Sequence, residues 1–172
     1  MRLIKKMIHR DLNTTAGRTF ERTSARGIIL RGTKILLIYT KYYNDYSFPG
    51  GGVDPKEDLI KGLKRELAEE TGAKKIDLIQ EFGYIDEYRP HYKPEYDLIH
   101  MESYFYVCRV EEDFDNIKLE DYEVANGSSP VWIELDEAIK HNKQVITNQE
   151  ESMGFSIERE TLVLELVKKE LL

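Results

Sequence analysis

Three glutamates give the first chemical signal in the chain. Glu66, Glu69 and Glu70 are spaced i, i+3 and i+4. At about 100° per helical residue, their side chains leave adjoining parts of one surface. Like charges at this spacing repel by roughly 0.2–0.5 kcal/mol per pair even when exposed, and by more out of water. A divalent cation reverses that sign. Ligands that are all oxygen suit Mg²⁺ or Mn²⁺ better than Zn²⁺, and such ions keep waters and engage substrate phosphates. A metal so held can polarise a phosphoryl oxygen and lower the pKa of water, which makes phosphorus–oxygen hydrolysis the natural reaction class. An acidic helix ordinarily shows its glutamates to solvent, so the neighbouring elements must separate the two readings.

The helix that carries the glutamates is predicted to begin at Asp54 as N-cap, with Pro55 in its first position and Glu57 as the capping-box carboxylate, and to end at Gly72. Leu59, Ile60, Leu63 and Leu67 recur at helical spacing and form its buried stripe. Glu66 and Glu70 project beside that stripe, away from the fully solvated face. Directly ahead, Pro49 and the three glycines Gly50, Gly51 and Gly52 permit a tight turn that brings a backbone carbonyl close to a metal. Gly62 lies one turn before Glu66, and a helical glycine costs about 1 kcal/mol relative to alanine. It is read as leaving open space beside the carboxylates.

Around this unit the pattern is mixed. Two apolar runs, Gly27 to Leu30 and Ile35 to Ile38, flank the turn Arg31 to Lys34 and predict a hairpin. Ile76 to Ile85 and Met101 to Val110 read as strands, joined by a loop from Asp86 to Asp97 that is long enough to cover a site. Val131 to Ile133 reads as a short strand and Asp136 to His141 as a short helix. Ser156 to Leu171 reads as an amphipathic helix carrying Leu162, Val163, Leu166 and Val167. The fold class expected is α/β with a mixed sheet, in one domain over residues 1–172.

With 41% hydrophobic and 33% charged residues, the chain is too rich in large apolar groups for disorder. A net charge of −7 argues against a long nucleic acid or an anionic membrane as partner, so an anionic ligand needs a cation as mediator. The first fifteen residues mix charge among few apolar groups, unlike a signal peptide or spanning helix. The one cysteine, Cys108, sits in the apolar-rich run Tyr104 to Cys108 and is expected to be a buried thiol. A cytoplasmic protein is the expectation.

Gly51, five residues, Glu57, seven residues, Arg65-Glu66-Leu67, one residue, Glu69-Glu70, one residue, Gly72-Ala73 resembles the box of the Nudix (MutT-like) hydrolase family at every fixed position. At residue frequencies near one in fifteen, an accidental match in this chain is on the order of one in a million. The resemblance implies a loop-helix-loop on an α/β/α sandwich. It assigns Glu66, Glu69, Glu70 and the Gly50 carbonyl as ligands of Mg²⁺ (or Mn²⁺). Glu66 also matches the general base, and Glu57 and Arg65 match residues that orient the carboxylates. A further carboxylate from the loop before Trp132 is expected, Glu123 in preference to Glu120, against the alternative that Glu111 to Glu123 is an acidic surface stretch. Lys56, where similar sequences often have glycine, is a departure that bears on substrate class.

The activity implied is hydrolysis of the diphosphate linkage of a nucleoside diphosphate joined to another moiety, whether nucleotide sugar, nucleoside triphosphate or a related compound. A possible homodimer is a further implication. Phe48, Tyr88 and Arg89 are the residues expected to contact the small-molecule substrate. The alternative is a catalytically silent nucleotide sensor on the same fold, whose mark would be a missing box glutamate; all are present.

Overall fold

A computed structural model describes residues 1–111 and 116–172; positions 112–115, within the acidic stretch weighed above, lie outside the described residues. Eight strands form a mixed sheet system. β2 (Thr19–Arg31) lies between β7 (Leu98–Val110), to which it is parallel, and the short antiparallel β5 (Gly50–Val53). β6 (Ile76–Pro90) pairs antiparallel with β7, and β1 (Leu3–Ile8) adds to β6 in parallel. β2 turns through Gly32 and Thr33 into β3 (Lys34–Thr40), and the predicted hairpin is present, although only Leu30↔Ile35 and Arg31↔Lys34 pair across it. β3 leaves at that point to pair with β4 (Asp45–Ser47) on one side and β8 (Ser128–Glu134) on the other.

Helices cover both faces. α1 (Leu59–Thr71) lays Leu63 and Leu67 against Ala25, Ile29, Tyr106 and Cys108. Both leucines are fully buried, and each such burial stabilises by roughly 1.5–3 kcal/mol. α3 (Leu135–Asn148) and α4 (Ile157–Leu171) lie on the opposite face, where Ala138, Val163 and Val167 meet Ile28, Phe48 and Phe105. The expected sandwich is therefore formed. Cys108 is buried as expected, and burial pushes its thiol up to about 12.

Three boundaries differ from the sequence expectation. α1 starts later: Asp58 is its N-cap, accepting from the amides of Ile60 and Lys61 at 3.1 and 3.0 Å. Asp54 to Glu57 form the preceding turn, closed by the Glu57 amide on the Asp54 carbonyl. β6 and β7 run to Pro90 and from Leu98, so the connecting loop spans only 91–97. The charged residues of β6 hid its strand character. α3 reaches Asn148, two turns beyond the expected short helix. A short α2 (Asp121–Asn126) precedes β8.

α4 also carries the most deeply buried ions of the fold. Arg159, 1% exposed, donates to Glu87 of β6 at 2.6 Å and twice to Glu160 at 3.0 and 2.6 Å. Taking one partner from such a cluster leaves uncompensated charge in the interior. The Arg159→Met variant is expected to lose about 3–5 kcal/mol of stability in urea denaturation; a loss below about 1 kcal/mol would contradict this account of the cluster.

Candidate active site

The glycine turn becomes β5, which pairs Arg26↔Gly50, Ala25↔Gly51, Ser24↔Gly52 and Thr23↔Val53. Gly50 has φ +123°, a conformation that side-chain-bearing residues resist, and a Cβ there would collide with the Ala25 carbonyl. Neighbouring strand residues point to opposite faces. A Cβ on Gly51 would collide with the Glu66 carboxylate, whereas one on Gly52 would press on the Arg22 guanidinium at 3.1 Å. The two glycines thus admit an acid on one side of the strand and a base on the other. Gly62 serves differently from its reading in sequence. It opens no space, because a Cβ would meet Val53 at 2.9 Å and Glu57 Oε2 at 3.1 Å; its absence lets α1 close on β5.

Arg65 organises one group of carboxylates. It donates to both Glu57 oxygens at 3.0 and 2.9 Å, to Glu66 Oε1 at 2.5 Å, and to the Gly52 carbonyl at 3.3 Å. Glu69 Oε2 stands 3.4 Å from the same guanidinium. The hydrogen bond from Arg65 holds the half-buried Glu57 below the usual carboxylate range. Burial raises Glu66, while Arg65 pulls it the other way.

Glu70 stands apart in a second group. It is 8% exposed and accepts from the Gly50 amide at 2.6 Å. Burial pushes its pKa well above the usual value; the charge of Arg26 and the Gly50 amide oppose this, and Glu123 adds to it. Glu123, on α2, therefore lies against Glu70, and Glu120 approaches Glu66 closely enough to raise it further. A hydrogen bond from the Glu120 amide to Glu123 Oε2 at 2.7 Å fixes that corner. With Arg65 occupying three glutamates and Gly50 a fourth, no three acidic or imidazole side chains among the described residues close on a single point.

Both groups border one cavity of about 840 Å³, whose walls include Gly50, Arg65, Glu66, Glu70 and Glu123. Glu57 and Glu69 flank it and are tied to it through Arg65. None of the three residues expected to meet substrate lines this cavity. Phe48 is fully buried, edge-on to Phe105 at 5.3 Å, because it anchors the turn from the core side. Tyr88 lies in β6, stacked on His100 at 4.4 Å and covered by Lys6. Arg89, one residue on, faces the opposite side of the sheet. Burial lowers its pKa to about 10, and Arg159, Arg22 and Arg26 lower it further against the attraction of Glu87.

Sequence reasoning missed four residues that line the cavity: Arg22, Arg26, Asp45 and Glu160. A signal for the arginines existed in the alternation of Arg22, Ser24 and Arg26 along one strand face. Arg26 donates to the Phe48 carbonyl at 3.0 Å, and its Nε is buried with no hydrogen-bond partner among the described residues.

A family model for the NUDIX domain matches residues 21–152. Among curated proteins, the chain is 44% identical over 45 residues to an RNA pyrophosphohydrolase of Bartonella henselae, an alignment covering 26% of each chain. It is 31% identical over 113 residues to diphosphoinositol polyphosphate phosphohydrolase 3-beta of Bos taurus, covering 64% of this chain and 60% of that protein. The chain thus spans about a quarter and three fifths of these relatives. Among solved structures, a NUDIX hydrolase from Nitrosomonas europaea superposes with a TM-score of 0.52 at 20% identity, over 69% of this chain and 75% of that one, a likeness of fold.

The glycines make a graded prediction. Gly50→Ala meets fixed backbone at a positive φ and is expected to cost about 2 kcal/mol or more, whereas Gly51→Ala meets only the end of a movable side chain and costs less than about 1 kcal/mol. Chemical denaturation of the two variants checks this; equal losses would contradict the geometry.

Proposed function

The chain belongs to the Nudix family, and on that premise we propose that it hydrolyses the diphosphate linkage of a nucleoside diphosphate joined to another moiety, with Mg²⁺ or Mn²⁺. The observation that carries this is that Glu66, Glu70 and Glu123 all border one large cavity, with Glu70 bound to the Gly50 amide and Glu123 beside it. The residues fit a hard divalent cation. Their donors are all oxygen, Gly51 leaves the room that Glu66 occupies, and Glu70 and Glu123 are like charges in contact that a cation would reconcile.

The ligands in this proposal are Glu66, Glu69, Glu70, Glu123 and the Gly50 carbonyl. When bound, the cation neutralises the diphosphate and makes water more acidic. The protein's own groups do the rest. Arg65, braced by Glu57 and the Gly52 carbonyl, sets where Glu66 and Glu69 point. Glu66 takes the proton of the attacking water, and its half-buried position, which raises its pKa, makes it a better base than an exposed carboxylate. Water oxygen bonds to phosphorus, the bridging phosphorus–oxygen bond breaks, and a nucleoside monophosphate leaves with a phosphorylated second product. Arg22 and Arg26 form the cationic side of the site, with the charge of Arg89 behind them, and the unpartnered Nε of Arg26 suits an oxygen of the substrate phosphates.

Hydrolysis of a nucleotide-derivative panel, read as phosphate freed from the monophosphate products by a coupling phosphatase, tests the reading. Activity is expected only with Mg²⁺ or Mn²⁺, to vanish with chelator, and to fall by about a hundredfold or more, some 2.7 kcal/mol, in Glu69→Gln and Glu70→Gln. Nucleotide binding without hydrolysis under either metal would instead favour the sensor.

A further inference from the structure

One buried acid of the cavity has no place in the chemistry above. Asp45 is 4% exposed. It lies opposite Thr40 in the β3–β4 pairing, and Thr40 in turn lies opposite Ser128 of β8. Its carboxylate has no hydrogen-bond partner among the described residues; the influences on it are burial and the charge of Glu160. Thr40 is already engaged with Ser128 at 3.3 Å, so it does not satisfy Asp45. Buried carboxyl groups without partners are costly to a fold, and this one faces the cavity.

The surroundings select what it could meet. Glu160 accepts two hydrogen bonds from Arg159 and one from the Phe48 amide. Arg159 also serves Glu87, so Glu87 and Glu160 offset its charge. The charge acting on Asp45 is that of Glu160, which disfavours a phosphate beside it, whereas Arg22 and Arg26 line the wall elsewhere. Two neighbouring carboxyls out of water do not both ionise readily, and burial together with Glu160 raises Asp45 to about 7. In its protonated form it both donates and accepts. Thr40 lies across the strand pair from Asp45, Ser47 shares its side of β4, and Ser128 lies beyond Thr40; with Asn126 and Tyr43 they line the same cavity and bring hydrogen-bonding groups without charge.

We propose that Asp45 determines specificity by hydrogen-bonding an uncharged, hydroxyl-bearing end of the substrate, as in the glycosyl group of a nucleotide sugar. The inference rests on the diphosphate-hydrolase reading and sharpens it: the cavity takes a substrate charged at one end and neutral at the other. A nucleoside triphosphate or a polyphosphorylated ring would bring charge to Asp45 and Glu160.

ADP-glucose and ATP are the probes, with wild type, Asp45→Leu and Asp45→Asn. The KM for ADP-glucose is expected to rise at least about tenfold in the leucine variant, with kcat within about twofold; the KM for ATP should not move, and asparagine should restore most of the loss. The same leucine variant should melt no lower than wild type, since it removes an unpartnered buried acid. Asp45→Ala reads the same split should the leucine variant not fold. Equal effects on both substrates, no effect on either, or a wild type that prefers ATP would overturn the proposal. Calorimetric binding of ADP-glucose separates it from the catalytic reading. Tight binding that weakens about tenfold in the variant without any turnover sinks catalysis and keeps Asp45. Turnover indifferent to the variant does the reverse, and a wild type that neither binds nor cleaves ADP-glucose overturns the Asp45 assignment.

Discussion

Carboxylates gathered out of water repel one another, and this part of the fold is organised around holding them together. Glu57, Glu66 and Glu69 share one guanidinium, Arg65. Glu70 depends on the Gly50 amide and the nearby charge of Arg26. On the far side, Glu87 and Glu160 share Arg159. Each acidic group is therefore held by its own cation or amide, which keeps the cluster compatible with a stable fold. An electrostatic demand is left over where Glu70 meets Glu123, because no guanidinium among the described residues bridges that pair.

The glycine turn connects these groups. Gly50 receives Glu70, the Phe48 amide is fixed by Glu160 and the Phe48 carbonyl by Arg26. α1, α4 and β2 thus grip Phe48 and Gly50, on either side of Pro49, from different directions. Arg159 and Glu160 lie 109 and 110 residues beyond Gly50 in the chain, yet they set the backbone beside it. Burial of Phe48 in the α4-side core belongs to the same arrangement, since the ring locks the turn from below while the backbone faces the cavity.

The legible part of this structure was the part that is local in sequence. The box, the end of α1 at Gly72, the apolar stripe and the early hairpin all follow from spacings within about twenty residues. The helix start was misplaced because Asp54 and Asp58 both make acceptable caps, and only the engagement of Glu57 by Arg65 settles between them. Tyr88 and Arg89 were placed in a covering loop because Asp86, Glu87 and Arg89 look solvated; pairing with Arg159 puts Glu87 inside. Glu158, Arg159 and Glu160 open α4 as a run of three charges, and nothing within α4 announces that the last two are buried. Asp45 sits among tyrosines and an asparagine that give no local sign of its burial. Residues whose partners are distant cannot be assigned a face from their own neighbours.

Cation binding by the protein alone tests the central claim most directly, that these carboxylates are held together as a site for a divalent ion. Mn²⁺ titration followed by electron paramagnetic resonance or calorimetry should show saturable binding in the wild type, weakened by at least about tenfold in Glu70→Gln and in Glu123→Gln, with the fold intact by circular dichroism. Identical Mn²⁺ affinity in the wild type and both variants would contradict it, and the cluster would then be a structural network of ion pairs centred on Arg65.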